Sequence, residues 1–377
     1  MIAEPDFTIG IEEEYLLIDP KTRNLIQVFP DGMLERCEKE LPNQVSPEFL
    51  QCQIEVGTKV CGSVKAARAD LAHLRKTLIE IAEQFGLQML AASTHPFAQS
   101  LEQRQTRKQR YEMLAEDLQA VVHRLVICGM HVHVGIGDDD LRIDLMNQAS
   151  YTLPHILALS TSSPFWEGCD TGLKSYRIAV WDELPRTGLP EQFDSYTEYR
   201  RHVDLLVKAG IIEDGTKLWW DIRPSERYPT LEMRISDICT RLDDGICIAA
   251  IYQCWLRMLF RLRRNNQRWR QYSNMLIDEN RWRAHRYGTD EGLVDFGHAG
   301  IVPYADLFLE MLELIHEDAI ALDCVDELQH GLEIVRQGTS AHRQLNVYYQ
   351  RLKQGESNQQ ALTAVVDMLV EDTRRGL

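Results

Sequence analysis

The segment FTIGIEEEYLLI, residues Phe7–Ile18, is the first of six short stretches in which polar and apolar residues alternate. Alternation with a period of two is typical of a β-strand that turns one face towards the core. In this segment Glu12 and Glu14 point to one face, whereas Ile11 and Glu13 point to the other. The other five predicted strands are Gln51–Val56, Gln88–Ala92, Met130–Ile136, Leu218–Arg223 and Thr230–Ser236.

Helical periodicity separates these strands and dominates the second half of the chain. Apolar residues at helical spacing predict five helices, and three or four more helices without intervening strands follow from Pro303 onward. The five are Ala66–Phe85, Tyr111–Leu125, Leu145–Leu159, Tyr196–Lys208 and Ile246–Arg264. Because the helices are long, uneven and clustered towards the end, the pattern favours an α+β fold with a largely antiparallel six-stranded sheet and helices packed on its outer face. No GxGxxG or GxxxxGK[ST] motif supports a dinucleotide fold or a P-loop.

The overall composition is that of a globular enzyme. The 377 residues include 44% hydrophobic and 26% charged residues, which excludes a disordered chain or a fibrous repeat. Asp and Glu outnumber Lys and Arg by 57 to 41, giving a formal charge of −16. Since nucleic acid is bound mainly through Lys and Arg, we expect no nucleic-acid partner. No linker divides the chain, so we predict one domain over 1–377, with a catalytic sheet in 1–241 and a helical region in 242–377.

Cysteine usage and hydropathy bear on the compartment. The nine cysteines are scattered without a CxxC pair or zinc-ligand spacing, as expected of reduced thiols packed in a core. The first residues lack the basic-then-apolar pattern of an export signal. The longest apolar stretch, Ile246–Phe260, contains Gln253 and Arg257 and is shorter than a bilayer requires. We therefore expect a cytoplasmic protein that does not bind membranes.

Five of the predicted strands place chemically active side chains at alternate positions of one face. Any one of these pairs is explained by a sheet with one solvated face. Together they contain carboxylates, imidazoles and guanidinium groups but no lysine, which is unusual for a solvent-facing surface. The pairs are Glu12 with Glu14, Gln53 with Glu55, His131 with His133, Asp221 with Arg223, and Glu232 with Arg234. We interpret this face as a candidate active site.

Neighbouring strands would crowd the glutamates of this face, and crowded carboxylates are unfavourable unless cations neutralise them. Oxygen ligands with an occasional imidazole suit Mg²⁺, with Mn²⁺ as the second possibility. Arg223 and Arg234 carry planar groups that bind phosphate or carboxylate oxygens. Divalent ions beside fixed guanidinium groups can hold a polyphosphate and neutralise charge during phosphoryl transfer. A hydrolytic two-metal centre is the competing interpretation.

Six motifs in a fixed order resemble those of the type 2 glutamate–cysteine ligase family, the bacterial carboxylate–amine ligases. They are GIEEEY (10–15), PEFLQCQIEVGT (47–58), STHPF (93–97), RYEMLAED (110–117), GMHVHVG (129–135), and WWDIRPS with TLEMRISD (219–237). The resemblance implies a curved catalytic sheet of the glutamine-synthetase type, ATP as a substrate, and Mg²⁺. It also implies that a carboxylate, typically the γ-carboxyl of glutamate, is joined to an amine such as that of cysteine through an acyl phosphate. Activity towards cysteine is weak in many members.

Individual residues are assigned in two ways: the resemblance implies the metal ligands and the Glu232–Arg234 pair, whereas His133, Arg177, Arg223 and the proton-accepting role of Glu55 follow from the chemistry of the residues. The implied metal ligands are Glu12, Glu14, Glu48, Glu55, His131 and Glu232. The residues expected to contact nucleotide or substrate are His131, His133, Arg177 and Arg223, where Arg177 belongs to the loop-like segment CDTGLKSYR. The expected catalytic residues are Glu55, Arg223 and Arg234, with Glu55 as a candidate acceptor of the amine's proton.

Three other functions remain open at this point. A phosphagen-type guanidino kinase would use a related sheet and one phosphate acceptor, and a metal-dependent hydrolase would act without ATP. A binding module without catalysis is the third. The expected partners are small molecules only: a glutamate-like carboxylate, an amine and ATP. A homodimer is the default expectation for the assembly.

Overall fold

The computed structural model describes residues 3–106 and 118–377. Its strands are β1 (Ile9–Ile18), β2 (Val45–Pro47), β3 (Gln53–Gly57), β4 (Gln88–Leu90), β5 (Met130–Gly135), β6 (Phe165–Trp166), β7 (Cys169–Asp170), β8 (Thr187–Gly188), β9 (Trp219–Trp220), β10 (Ile222–Pro224), β11 (Thr230–Met233), β12 (Leu293–Asp295) and β13 (Gly300–Val302). Seven of them form the main sheet, in the order β10-β11-β5-β1-β3-β2, with β4 also paired to β1. Every pair in this sheet is antiparallel. The predicted α+β class with an antiparallel sheet is confirmed.

Two details of the sheet differ from the prediction. Val45–Pro47 forms a seventh strand, which the sequence hides because the strand is short and ends in proline. The predicted strand Leu218–Arg223 is interrupted at Asp221: β9 pairs with β8 in a separate parallel ribbon, and β10 pairs with β11 in the main sheet. The alternation of side chains assumed for this stretch therefore does not continue through Asp221.

The helices pack against the sheet and form most of the C-terminal region, which also contains the two-stranded ribbon β12–β13. They are Met33–Glu40, Val64–Gln84, Asp139–Ala149, Leu153–Ser160, Tyr176–Trp181, Tyr196–Lys208, Leu242–Arg264, Asn274–Tyr287, Tyr304–Ala321, Val325–Gln337, Ser340–Lys353 and Asn358–Thr373. The last four confirm the predicted helices after Pro303. The predicted helix Leu145–Leu159 is broken by the 3₁₀ turn Ser150–Thr152, after which Pro154 stands in the first turn of the next helix.

Part of one prediction and one whole motif lie outside the described residues. The predicted helix Tyr111–Leu125 overlaps the described chain only from Leu118, where Gln119–Arg124 forms a 3₁₀ helix. The motif RYEMLAED (110–117) falls entirely outside the described ranges.

The longest helix, Leu242–Arg264, lies in the core and packs against β5 and the helix Val64–Gln84. Within the described ranges it is the one helix with the length and hydropathy that a membrane span needs, and 83% of its most apolar window is buried inside the protein. A buried core helix has the same composition, so its apolar character is explained by packing. All nine cysteines are free thiols, and eight of them are buried.

The basic run Arg257–Arg270 is engaged within the chain. Arg257 and Arg261 both donate to the buried carboxylate of Asp318, and Arg263 and Arg268 pair with Asp144. These ion pairs fix the end of the core helix against its neighbours and explain the run without a nucleic-acid ligand.

Candidate active site

One cluster of possible metal ligands is built by three adjacent strands. Glu12 on β1 is directly opposite His131 on β5, and the neighbouring residue pair His133–Glu232 joins β5 to β11. The side chains of Glu12, His131 and Glu232 each offer a ligand atom, and these atoms lie within 4.8 Å of one another. His131 Nδ1 lies 3.3 Å from Glu12 Oε2. The cluster of Glu12, His131 and Glu232 is called site A below.

A second cluster lies on the other side of β1. Glu14 is directly opposite Glu55 on β3, and Glu48 follows β2, so the three carboxylates converge with their oxygens within 4.8 Å. The Gly129 amide donates to Glu14 Oε2 at 2.7 Å, and the Ser46 hydroxyl donates to Glu55 Oε1 at 3.0 Å. The cluster of Glu14, Glu48 and Glu55 is called site B below. Together the two clusters contain all six metal ligands expected from the sequence.

The carboxyl groups of site B hold protons more tightly than isolated ones. Burial, reinforced by the charge of Glu14, raises the pKa of Glu48 to about 7. Burial and the charges of Glu48, Glu12 and Glu14 raise the pKa of Glu55 well above its ordinary value. Burial also raises the pKa of Glu14, although Arg177 opposes the shift. A divalent cation would remove this repulsion, so the electrostatics of the cluster favour a bound cation.

Site A has the opposite electrostatic character. Burial alone would raise the pKa of Glu12, but hydrogen bonds with His131 and His133 outweigh it and hold the pKa well below its usual range. The pKa of Glu232 is also lowered, because Arg234 and Arg223 outweigh its burial. Burial and the charge of Arg234 lower the pKa of His131 to about 4, so its imidazole is neutral at physiological pH and available as a ligand.

His133 contributes to the same face. Burial would lower its pKa, but the hydrogen bond with Glu12 and the charge of Glu232 raise it instead. Its Nδ1 lies 2.9 Å from the hydroxyl of Thr230, which fixes the orientation of the ring.

The three arginines of the site that the sequence analysis named line the cavity, and each is held in place. Arg223 donates to Glu232 through Nε at 2.9 Å and through Nη2 at 3.2 Å. Arg234 donates to the same carboxylate, while its Nε is buried and has no hydrogen-bond partner among the described residues. A buried donor without a partner is costly, so Arg234 Nε is a natural contact for an anionic ligand.

Arg177 is placed differently from the prediction. It belongs to the first turn of the helix Tyr176–Trp181, not to a loop, and its side chain is only 2% exposed. The guanidinium donates to the carbonyl oxygens of Ile235 at 3.2 Å and Arg234 at 3.1 Å. Arg177 therefore lines the cavity next to the end of β11, although it belongs to a helix and not to a strand of the sheet.

All of these side chains face one cavity of about 930 Å³, which is large enough for a nucleotide together with small substrates. The predicted residues in its wall are Glu12, Glu14, Glu48, Glu55, His131, His133, Arg177, Arg223, Glu232 and Arg234. The structure thus brings every predicted site residue together. The oxygen-rich donor set with a single imidazole in site A fits Mg²⁺ or Mn²⁺.

Asp221 is the one residue of the five polar pairs that does not belong to this face. It is 1% exposed and accepts hydrogen bonds from Arg281 Nε at 2.7 Å and Arg281 Nη2 at 3.2 Å. Arg281 also pairs with Asp182, so Asp221 connects the helix Asn274–Tyr287 to the sheet. The interruption between β9 and β10 turns its side chain away from the cavity.

Several wall residues were not predicted. Trp181 and Trp219 line the cavity, whereas Trp220 packs against Phe193 and Tyr199. No periodicity marks Trp181, because it lies on a helix of six residues. His95 anchors a turn outside the cavity wall, since its Nδ1 accepts from the Ala98 amide at 2.9 Å.

Comparison with known proteins identifies relatives over the whole chain. The family model described as glutamate-cysteine ligase family 2 matches residues 8–367. A protein of Rhodospirillum rubrum, provisionally named glutamate–cysteine ligase 2, is 59% identical over 99% of this chain and 97% of its own length. A protein of Jannaschia with the same provisional name is 53% identical over 98% of this chain and 97% of its own length.

Solved structures show the same fold. A glutamate–cysteine ligase of Francisella tularensis in complex with AMP has a TM-score of 0.67 at 15% identity, covering 99% of this chain and 90% of that one. A bifunctional glutathione synthetase of Pasteurella multocida has a TM-score of 0.68 at 14% identity, and this chain spans 52% of its length. With a family model matching nearly all of its residues and close relatives of the same length, the chain belongs to glutamate–cysteine ligase family 2.

Proposed function

We propose that the protein is an ATP-dependent carboxylate–amine ligase that forms a γ-glutamyl-type amide bond through an acyl phosphate. The observation that supports this best is the arrangement of two carboxylate-rich clusters, sites A and B, side by side in one cavity with Arg223 and Arg234. We propose glutamate and cysteine as substrates on the basis of the family, with cysteine turnover that can be low. The solved relative that contains AMP supports ATP as the phosphate donor.

The chemistry requires an activated carboxylate, because a free carboxylate is a poor acyl donor. Transfer of the terminal phosphoryl group of ATP to the carboxylate oxygen creates a leaving group. The amine nitrogen then attacks the acyl carbon, the bond to the phosphate oxygen breaks, and ADP and phosphate leave. Catalysis of such transfers consists mainly of positioning and charge stabilisation.

The residues of the cavity divide these tasks. Sites A and B would hold Mg²⁺, which when bound neutralises phosphate charge. Arg223 and Arg234 would bind the transferring phosphoryl group, and the unpartnered Nε of Arg234 supports this role. His131 and His133 would contact the nucleotide. Glu55 would accept the proton of the attacking amine.

The carboxylates of the substrate need a cationic partner in the cavity wall, and Arg177 is the candidate. Arg177 lies beside site B, so we assign it to a carboxylate of the acyl substrate that does not react. We also propose a catalytic unit over 1–241 with a helical region over 242–377, and a homodimeric assembly. The proposed partners are small molecules only, and the proposed location is the cytoplasm.

One assay tests the reaction. Phosphate release from ATP is measured with glutamate alone, with an amine alone, and with both, and products are identified by mass. A ligase needs both substrates for sustained turnover, and Glu12→Gln and Glu232→Gln should abolish it. A guanidino kinase would phosphorylate a single acceptor without releasing phosphate, and a hydrolase would turn over without ATP. Turnover close to that of the unmodified protein in either variant would contradict the metal-site assignment.

A further inference from the structure

We infer that Gly129 is a positioning residue for substrate recognition: its missing side chain leaves the space in which the Arg177 guanidinium lies and recognises the non-reacting carboxylate of a dicarboxylic amino acid. The inference rests on the proposed function for the assignment of Arg177 to the substrate. Nothing in the family assignment or the motif pattern gives Gly129 this role.

The contact between Gly129 and Arg177 is unusually close. A Cβ added at Gly129 would lie 2.5 Å from Nη2, 3.1 Å from Cζ and 3.2 Å from Nε of Arg177. Gly129 does not have a positive φ, so its backbone conformation is open to any residue. The requirement for glycine at this position therefore comes from the guanidinium and not from the main chain.

Other groups hold Arg177 in the same place. Its guanidinium carbon lies 5.6 Å from the centre of the Trp181 ring, and the carbonyl oxygens of Arg234 and Ile235 accept two of its N–H groups. We call the surroundings formed by Gly129, Trp181 and these two carbonyls the arginine seat. An arginine fixed by several contacts loses little freedom when it binds a carboxylate.

The start of the Arg177 helix is also fixed. The Arg177 amide donates to the Ser163 hydroxyl at 3.1 Å, and that hydroxyl donates to the buried Asp237 at 2.8 Å. Ser175, one residue before the helix, donates to the other oxygen of Asp237 at 2.8 Å. The backbone that carries Arg177 therefore cannot easily adjust, and an intrusion at Gly129 must be absorbed by the guanidinium itself.

The arginine seat lies next to site B, and Gly129 contacts both. The Gly129 amide donates to Glu14 Oε2 of site B, and Arg177 and Arg234 both lie over the ring of Trp181 at 5.6 and 5.7 Å. A substrate whose reacting carboxylate is at site B would thus present a second carboxylate to Arg177. Glutamate has this chemistry, and 4-aminobutyrate, which keeps the γ-carboxylate but lacks the α-carboxylate, does not.

Gly129→Ala is a selective test. The variant keeps the backbone N–H group that donates a hydrogen bond to Glu14. The atoms that must move are the far end of the Arg177 side chain, so the fold should survive while the guanidinium is displaced. The probes are L-glutamate and 4-aminobutyrate, whose binding is measured by titration calorimetry with MgCl₂ and without ATP. The unmodified protein should prefer L-glutamate, and Gly129→Ala should reduce that preference by about tenfold or more, the usual worth of a charge-assisted hydrogen bond.

Three further variants make the test decisive. Gly137→Ala is the matched control, because Gly137 is exposed, lacks a positive φ, and has nothing within 4 Å of an added Cβ. Trp181→Leu removes another wall of the seat and should also reduce the preference. In an Arg177→Met background, Gly129→Ala should cause no additional loss, since a positioning residue acts only through the group that it positions. Thermal unfolding of each variant verifies that it folds.

The outcomes separate this inference from the proposed function. If the unmodified protein does not prefer L-glutamate, or if Gly129→Ala retains the preference, the seat does not serve substrate recognition. Additive losses in the double variant would assign Gly129 a purely structural role. Because the probes bind without ATP, a preference that depends on Gly129 would support the seat even if no amide product forms, and absence of product would then count against the ligase alone.

Discussion

Glu14 on β1 and Glu55 on β3 are directly opposed residues of an antiparallel strand pair, so their carboxylates share one face of the sheet. Like charges in this arrangement destabilise a sheet. Glu48 adds a third carboxylate within ligand distance of both. These carboxylates are crowded at the place where the proposed chemistry needs cations. The effect of this crowding on the stability of the folded protein can be measured.

The first prediction concerns Glu55→Gln. Because the Glu55 carboxyl already resists ionisation, its amide analogue should unfold at the same or a higher temperature than the unmodified protein in EDTA. Adding MgCl₂ or MnCl₂ should raise the unfolding temperature of the unmodified protein and have a smaller effect on the variant, since ligand binding to the folded state stabilises it. A full cation-dependent shift in the variant would exclude Glu55 as a ligand.

Glu232→Gln, in contrast to Glu55→Gln, should destabilise the folded protein. Glu232 is 2% exposed and is paired with both Arg223 and Arg234, so the variant leaves two buried guanidinium groups without their counter-charge. We expect a loss of about 3 kcal/mol or more in the free energy of unfolding, in EDTA as well as in MgCl₂. Urea unfolding measures this loss, and the solvent-exposed pair partner Glu333 offers the control Glu333→Gln. Stability equal to that of the unmodified protein would contradict the buried ion-pair network.

The sequence predicted which side chains of each strand share a face, because strand geometry sets this whatever the order of the strands, but it did not predict the division of the ligands into two clusters. Glu12 and Glu14 could be grouped by their alternate positions alone, and Gln53 and Glu55 in the same way. That the opposite neighbours of Glu12 and Glu14 would be His131 and Glu55 depends on strand register, which the period of two does not determine.

The remaining parts of the site depend on contacts between distant segments. Asp221 was placed on the cavity face because the alternation was extended across an interruption, and its partner Arg281 lies on a helix that no sequence pattern connected to the sheet. Trp181 and Gly129 carry no signal of their own, because their importance arises from the position of Arg177. A single sequence can predict the face of a strand, but not the side chains that enter it from elsewhere.

The opposite face of β1 provides the third prediction. Glu13 and Arg75 are fully buried, and Arg75 donates to both oxygens of Glu13 at 2.7 Å. Glu13→Gln removes the charge and should destabilise the protein by about 3–5 kcal/mol, because Arg75 is left buried without a counter-charge. Replacing both residues, as Glu13→Leu with Arg75→Met, should recover much of this loss. Denaturant unfolding of the single and double variants provides the comparison, and a single variant as stable as the unmodified protein would refute the argument.

The last prediction concerns pH and lies far from the cavity. His330 Nε2 lies 2.8 Å from Asp244 Oδ1 and joins the helix Val325–Gln337 to the core helix Leu242–Arg264. The hydrogen bond with Asp244 raises the pKa of His330 above its ordinary value of 6.5. The folded protein therefore binds this proton more tightly than the unfolded chain does. The resulting stability is fully present below pH 6.5 and is lost as the pH rises through the folded-state pKa.

His330→Gln should remove this contribution, which we expect to be below about 1 kcal/mol for a pair that is partly exposed. In urea unfolding between pH 6 and 9, the difference in free energy of unfolding between the unmodified protein and the variant should be largest at pH 6 and decline towards pH 9. His316→Gln, at an exposed position of the helix Tyr304–Ala321, is the control for replacing a surface histidine. A difference that stays constant or grows with pH would mean that the proton on His330 does not stabilise the fold, because only a tighter-bound proton in the folded state produces a decline in this direction.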